Sequence, residues 1–444
     1  MAKTIIFCSD HHIGGDDKLD TWDNTKEFIK FLRQIDQEHQ NIDLVLLGDT
    51  FELLQITKTR KKNKIEKLLE KPEYQKLLNE IKRFSKKHNV IYIIGNHDQE
   101  LYWNKDLQKT LSKYGMNITG KENLTYNHTF KGKRKNFTIY AEHGNQFDPS
   151  SKFIDYTSQT ETPVSHHIVT DFANRIGSLK KEDGKGKEWL HDVSNVRPIE
   201  IVPLWFISNY FYEELNRIFK IISVPIVLGL IITRLIPIYY LFKLFNIKFF
   251  SLAILPKPIL VGVLTIIGID ITIILLFVVF YIIKKDIFST LRRYGITRYD
   301  EMMRKLNTHY TDVAKRILKG EDIIIQPQKQ VDFFVHGHTH EIKHLKKLII
   351  KGKEKGYAAL GTWHKGIEKF RAMFGFPALF LPTYELTYLK VFKENNEVVT
   401  QRWEFEKEYK IKLTRLQKIA ALGKRIKRHI KKPTKMINEE KFRI

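Results

Sequence analysis

Five short apolar runs in this chain each end in a tight group of Asp, His, Asn and Gly. Ile5-Ile6-Phe7 leads into Ser9-Asp10-His11-His12, and Leu44–Leu47 into Gly48-Asp49. Val90–Ile94 leads into Gly95-Asn96-His97-Asp98, Phe137–Tyr140 into Glu142-His143-Gly144, and Val331–Val335 into His336-Gly337-His338-Thr339-His340. Short apolar runs bounded this way read as buried strands. Lys26–His39 and Lys64–His88, rich in Lys, Leu and Glu, read as helices between the first three. Alternation of strand and helix predicts an α/β domain. In open α/β sheets ligands collect beyond the carboxyl ends of the strands, so polar groups gathered there mark a site.

The candidate metal ligands are Asp10, His12, Asp49, Asn96, His143, His338 and His340. Asp10 and His12 stand two apart, as do His338 and His340. In an extended segment each such pair points to one side and can grip one ion. Imidazole with carboxylate suits borderline divalent ions such as Zn²⁺, Mn²⁺ and Fe²⁺. Seven ligands exceed what one catalytic ion with an open position needs; they suit two ions about 3.5–4 Å apart that share a carboxylate. Taken singly, each group has a plainer reading: a strand-end His is often just capped, and Gly-Asp is often a turn. Five such groups, each after an apolar run, outweigh it.

These residues closely resemble the motif set of the calcineurin-like metallophosphoesterase superfamily. The pattern Asp-x-His, Gly-Asp, Gly-Asn-His-Asp, His, Gly-His-x-His stands here in order as Asp10-His11-His12, Gly48-Asp49, Gly95-Asn96-His97-Asp98, His143 and Gly337-His338-Thr339-His340. The resemblance implies a four-layer αββα sandwich with two mixed sheets face to face between helices. It also implies that Asp10, His12, Asp49 and His340 hold one ion and that Asp49, Asn96, His143 and His338 hold a second. His97 would be the general acid, oriented by Asp98. Mn²⁺ is the first expectation for both ions, with Fe²⁺, Zn²⁺ or Ni²⁺ as alternatives. Two such ions lower the pKa of a water between them, and the hydroxide attacks phosphorus in line. A tuned imidazole then protonates the leaving oxygen.

The chain divides into residues 1–150, 151–330, 331–404 and 405–444. The first and third stretches carry the motifs, so the second is a helical insertion in one domain. In it, His166, His167 and Asp171 either reach toward substrate or belong to an ordinary capped helix start. The aromatic stretch from Trp189 to Phe211 reads equally as a membrane-interface belt or as a core helix. Residues 258–283 form a 26-residue apolar run with one charge, Asp270. Runs above ~18 apolar residues predict a transmembrane helix. Residues 221–245 are a weaker run, holding Arg234, Lys243, Pro225 and Pro237. Ligands on both sides of the insertion must meet, so the number of crossings must be even, and a two-helix hairpin satisfies this. Arg234 and Asp270 would then lie at similar depth and pair. Arg217, Lys220, Lys284, Lys285, Arg292 and Arg293 flank the hairpin and place the catalytic halves on the cytoplasmic face of the cell membrane.

The formal net charge is +25, which points to anionic company such as phosphate esters, nucleic acid or acidic lipid. Residues 405–444 hold fourteen Lys or Arg against four Glu. With Ile411, Leu413, Leu416, Ile419, Ala420, Leu422 and Ile426 among them, the stretch reads as a basic amphipathic helix on an anionic membrane. Nucleic acid is the less favoured partner. The single cysteine, Cys8, excludes an intrachain disulfide and reads as a small buried strand residue. The expectation is thus a dinuclear phosphoesterase acting on a phosphate mono- or diester or a pyrophosphate, lipid-linked and at the membrane. There is a looser similarity to the UDP-diacylglucosamine pyrophosphatase branch. A nuclease of the same superfamily and a non-catalytic membrane scaffold are the competing readings.

Overall fold

The computed structural model describes residues 3–173 apart from 17–18, 57–60, 62 and 119–122. It further describes 188–196, 201–213, 265–271, 278, 281–282, 285–286, 289, 299–321, and 330–444 apart from 341, 374–375 and 422–425. The proposed span 221–245 lies outside the described residues, as does most of 258–283. Among the described residues no helix is long and apolar enough to cross a membrane.

Two mixed sheets carry the fold. In the first, β1 (Thr4–Cys8), β2 (Ile42–Leu47), β3 (Asn89–Ile93) and β4 (Met116–Asn117) run parallel. The second sheet begins with β5 (Thr125–Phe130) and β6 (Phe137–Glu142), and continues after the insertion with β7 (Phe333–His336), β8 (Lys343–Ile350) and β9 (Lys353–Leu360). Its order is β5-β6-β7-β9-β8. The chain adds a small ribbon of β10 (Lys365–Phe370) and β11 (Leu379–Tyr384). It then returns to the first sheet as the hairpin of β12 (Leu386–Glu394) and β13 (Glu397–Phe405). A second ribbon pairs β14 (Lys407–Lys410) with β15 (His429–Lys432), and β16 (Lys435–Arg443) closes the first sheet. That sheet reads β16-β13-β12-β1-β2-β3-β4.

Helices cover both outer faces. They are α1 (Thr25–Glu38), α2 (Lys64–Leu68), α3 (Pro72–Ser85), α4 (Lys105–Ser112), the short turn α5 (Val164–His167), α6 (Tyr299–Lys319) and α7 (Arg415–Ala420). The expected single helix over 64–88 is broken in two. Pro72 can start a helix but cannot continue one, and it sits at the first turn of α3.

Side-chain alternation explains the layering. Ile6 and Cys8 of β1 and Leu44 and Leu46 of β2 face α1, α3 and α4, whereas Ile5, Phe7, Val45 and Leu47 face the second sheet. Strands buried on both faces read as continuous apolar runs, which is why these four-to-six-residue segments were legible. The second sheet turns Tyr140, Phe334 and Tyr357 outward onto Tyr310, Val313, Ala314 and Ile317 of α6. The result is the expected order of helix, sheet, sheet, helix.

The expectation for the basic segment is corrected, and the aromatic stretch takes the core-helix form of its two readings. The apolar residues of 405–444 do not form one long face for a membrane. Only Arg415–Ala420 is helical among the described residues there, and Leu416, Ala420 and Ile411 are buried against Tyr212, Leu379 and Leu381. The chain end is instead β16, whose Phe442 enters the core between the sheets against Phe137 and Phe333. A strand edge left by β13 offers a full ladder of hydrogen bonds, and burial of Phe442 fixes its register. In the aromatic stretch, Trp205 and Tyr212 are buried and Tyr212 donates to the Pro377 carbonyl, while Phe206 and Tyr210 remain exposed. It serves as a core helix on one face, with Trp205 packed on Phe380 of β11.

Phe442 therefore distinguishes an integrated last strand from a detachable tail. Phe442→Ala should destabilise the chain by about 3–5 kcal/mol in denaturant unfolding, whereas an unchanged midpoint would show that residues 435–443 are peripheral.

Candidate metal centre

Strands β1, β2, β3, β6 and β7 all deliver their carboxyl ends to one edge of the sandwich, because each is parallel to its neighbour. Asp10 and His12 follow β1, Asp49 follows β2, Asn96 and His97 follow β3, His143 follows β6, and His338 and His340 follow β7. The two halves of the chain are stitched at this edge: Glu142 lies opposite His336, and Gly337 N–H donates to the His143 carbonyl at 2.9 Å.

The loops are not extended, as the two-residue spacing suggests. Asp10, His12, Asp49, His338 and His340 have φ of 55°, 50°, 49°, 65° and 52°, the left-handed region. Such backbone costs on the order of 1–3 kcal/mol per residue and persists only where its surroundings hold it. Here His12 N–H donates to the Asp49 carbonyl at 2.9 Å, and Asp10 N–H to the Gly48 carbonyl at 3.2 Å. The Asp10 carbonyl accepts from Thr362 Oγ1 at 2.6 Å and from Trp363 N–H at 3.2 Å. The Gly361-Thr362-Trp363 turn after β9 thus clamps the first ligand. Close packing also dictates the motif glycines: a Cβ on Gly95 would overlap the Asp49 carboxylate, and one on Gly337 would overlap the Ser9 hydroxyl.

The ligand atoms of Asp10, His12 and His340 all lie within 4.8 Å of one another, as do those of Asp49, His143 and His338. His340 Nε2 is 3.1 Å from Asp10 Oδ1 and 3.1 Å from His12 Nε2. His143 Nε2 is 3.2 Å from both Asp49 Oδ2 and Asn96 Oδ1. Asp49 Oδ2 is also 3.9 Å from His12 Nε2, so it stands between the two groups. The structure brings together all seven expected residues.

Electrostatics shows that this set fits divalent cations. Asp10 Oδ1 is buried and receives no well-formed hydrogen bond. Two imidazole nitrogens 3.1 Å apart, on His12 and His340, can share only one proton. Burial opposes charge on Asp49, yet the surrounding His143, His97 and His12 hold its carboxyl well below the usual range. Burial likewise opposes charge on His143, yet Asp49 and Asp10 push it up to about 10. A carboxylate held ionised among imidazoles is the donor set that borderline divalent ions prefer.

His97 has an unexpected partner. Its Nδ1 faces Glu52 Oε2 at 2.8 Å, and the same carboxylate takes His12 Nδ1 at 2.8 Å. Asp98, expected to orient His97, instead braces the loops. It accepts from Gly95 N–H at 2.6 Å, Thr50 N–H at 2.9 Å and the Tyr92 hydroxyl. Burial and the nearby Asp49 charge raise Asp98 to about 6. Glu52 left a trace in the sequence, an acid three residues after Asp49. Asp148, whose Oδ2 is 3.0 Å from His338 Nε2, left none. His364 is a third such residue: its ring packs on His12 with centroids 5.8 Å apart, and burial followed by the His12 charge holds it well below its usual pKa.

The remaining expected residues are placed plainly. His11 turns away from the ligands onto Phe28 and Trp363, and burial lowers it to about 3. Cys8 is buried in β1. His167 and Asp171 form an exposed pair at 2.8 Å one helical turn apart, while His166 is half-buried. Those three join no group of candidate metal ligands among the described residues.

Comparison with known proteins decides the family. The Calcineurin-like phosphoesterase model matches residues 3–228, just over half the chain. The chain belongs to the calcineurin-like phosphoesterase family. It is accordingly a metal-dependent phosphoric ester hydrolase. Among curated proteins none matches it. The matched residues of this phosphoesterase end before His338 and His340, and it is the β6–β7 pairing that carries those two to the site.

Because Asp49 stands between both groups, its loss should weaken both. Calorimetric titration with Mn²⁺ should show two equivalents bound to the wild type. Asp49→Asn should weaken both steps, and Asp10→Asn chiefly one. Two unaltered equivalents in Asp49→Asn would rule out a shared carboxylate.

Proposed function

We propose that this phosphoesterase is a dinuclear enzyme, most simply a manganese one. Asp10, His12, Asp49 and His340 hold one ion, and Asp49, Asn96, His143 and His338 hold the other. The observation that carries the reading is the Asp49 carboxylate, which groups with His143 and His338 and also lies 3.9 Å from His12 of the Asp10–His12–His340 group. Bound divalent ions supply Lewis acidity and a nucleophile from water near neutral pH. The chain's own residues do the rest. Glu52 accepts a hydrogen bond from His97 Nδ1–H and fixes the ring, so that the imidazolium form donates its Nε2 proton to the leaving oxygen. Asp98 keeps the Gly95–Asp98 turn in register with Thr50.

The substrate is a phosphate mono- or diester or a pyrophosphate presented at a membrane, lipid-linked in its organic part. Supporting this, Ile267, Ile269, Ile271, Val278, Tyr281 and Ile282 are exposed along the described parts of the second apolar run. Isolated exposed apolar residues are ordinary, but a succession of them favours contact with lipid or with the other apolar run. The catalytic domain lies on the cytoplasmic side, as the flanking Lys and Arg favour.

Aryl and alkyl phosphate mono- and diesters, offered to detergent-purified full chain with Mn²⁺, test the enzyme reading. Wild type should release the alcohol or phenol from the ester, and Asp49→Asn should not. His97→Ala should slow alkyl esters by about 10²–10⁴ and nitrophenyl esters much less, since a good leaving group needs no proton. Equal slowing of both would remove His97 from the general-acid role. In fractionation the chain should require detergent; release by high salt alone would overturn the hairpin.

A further inference from the structure

A cavity of about 200 Å³ opens beside the metal centre, and a smaller one of about 10 Å³ lies between it and the ligands. His340, His364 and Asn195 line both, so the two are continuous with the first ligand group. Thr383, Glu385 and Met303 complete the principal walls of the larger one. Asn195 and Met303 both belong to the insertion, so the segment that interrupts the domain also shapes what reaches its site.

These walls are held firmly. Asn195 is 6% exposed and donates from Nδ2 to Asp192 Oδ1 at 3.1 Å. Asp192 pairs with Lys365, and Val196 bridges to Ile367, so the 188–196 segment is fastened to β10. Thr21 Oγ1 lies 3.1 Å from His364 Nε2 and 3.4 Å from Asn195 Oδ1. Asn195 and Thr383, both lining the cavity, carry amide and hydroxyl groups that can donate and accept hydrogen bonds.

We propose that this cavity receives the organic part of the ester, an uncharged, polyhydroxylated group of about one ring, with Asn195, His364 and Thr383 as specificity-determining residues. The proposal rests on the phosphoesterase reading above. Size supports it: 200 Å³ is below the ~300–1,000 Å³ of sites for drug-sized ligands, too small for a dinucleotide or a folded acyl chain. Polarity supports it, because amide, imidazole and hydroxyl groups in one wall match hydroxyl donors and acceptors, and would be left unpaired by a hydrocarbon ring. Charge supports it as well. Glu368 and Glu385 face the cavity against Lys343, which already pairs with Glu385 at 2.5 Å, so a second phosphate is disfavoured there. A lipid, where present, continues beyond the ring toward the insertion.

The test compares hexose 6-phosphate with cyclohexylmethyl phosphate, an ester of the same size lacking hydroxyls, on detergent-purified full chain with Mn²⁺. Phenyl phosphate serves as reference. Wild type should favour the hexose ester by at least about tenfold in kcat/KM. In Asn195→Ala and in the near-isosteric Thr383→Val, the ratio of hexose to cyclohexylmethyl ester should fall about tenfold, through KM. A nucleoside diphosphate hexose should be the poorer substrate. Equal use of the two ring esters, an unchanged ratio in both variants, or preference for the nucleotide ester overturns the proposal. So does hydrolysis of phenyl phosphate with neither ring ester used. Failure to hydrolyse even phenyl phosphate with any divalent ion overturns the phosphoesterase reading, and this one with it.

Discussion

A carboxylate placed out of reach of water must be answered by positive charge or by donors, and Asp49 is such a carboxylate. It is 1% exposed, at the point where both sheets end. A buried ion of this kind costs several kcal/mol unless its surroundings compensate. The compensation visible here comes from far along the chain: His97 N–H donates to Oδ1 at 2.8 Å, while His143 and His12 approach Oδ2. The left-handed backbone at five ligand positions, the glycines that permit close approach and the clamp on the Asp10 carbonyl all serve to bring those groups to one place. Asp98 illustrates the reach of this demand. A second carboxyl so near Asp49 is raised toward neutrality and works as a loop brace, which leaves Glu52 to hold His97.

The domain survives a long interruption because of how its halves interleave. β1 from the first half lies between β2 and β12, and β7 from the second half lies between β6 and β9. The residues that bound the interruption, Glu142 and His336, are paired neighbours in the sheet. An insertion whose ends already sit side by side adds only a slowly growing closure entropy. Two residues of the insertion, Asn195 and Met303, wall the cavity next to His340. Insertion and catalytic centre are therefore one functional unit.

The last forty residues show how one pattern supports two outcomes. Alternating basic and apolar residues suit a helix on an anionic surface, and they suit equally a segment that docks on its own protein. Tyr212, Leu379 and Leu381 supply an apolar surface at effectively unlimited local concentration, and Leu416 and Ala420 fill it. Phe442 then finds Phe137 and Phe333 in the core between the sheets. Burial available within the chain decides such competitions.

The motif resemblance implied the four-layer order, and the sequence by itself determined the strands that lead into the site, the α/β class and the identity of all seven candidate ligands. It did so because a doubly buried strand is a short, uniformly apolar run, and because a metal-binding edge gathers Asp, His and Asn where a core would not. Only the tertiary structure decided who partners whom. Glu52 meets His97 because Asp49 turns left-handed and aims the next residues back at the centre. Asp148 reaches His338, and the His364 ring meets His12 edge-on, across separations of 190 and 352 residues. Local spacing carries no record of such contacts, since they depend on packing between segments that the chain itself keeps far apart.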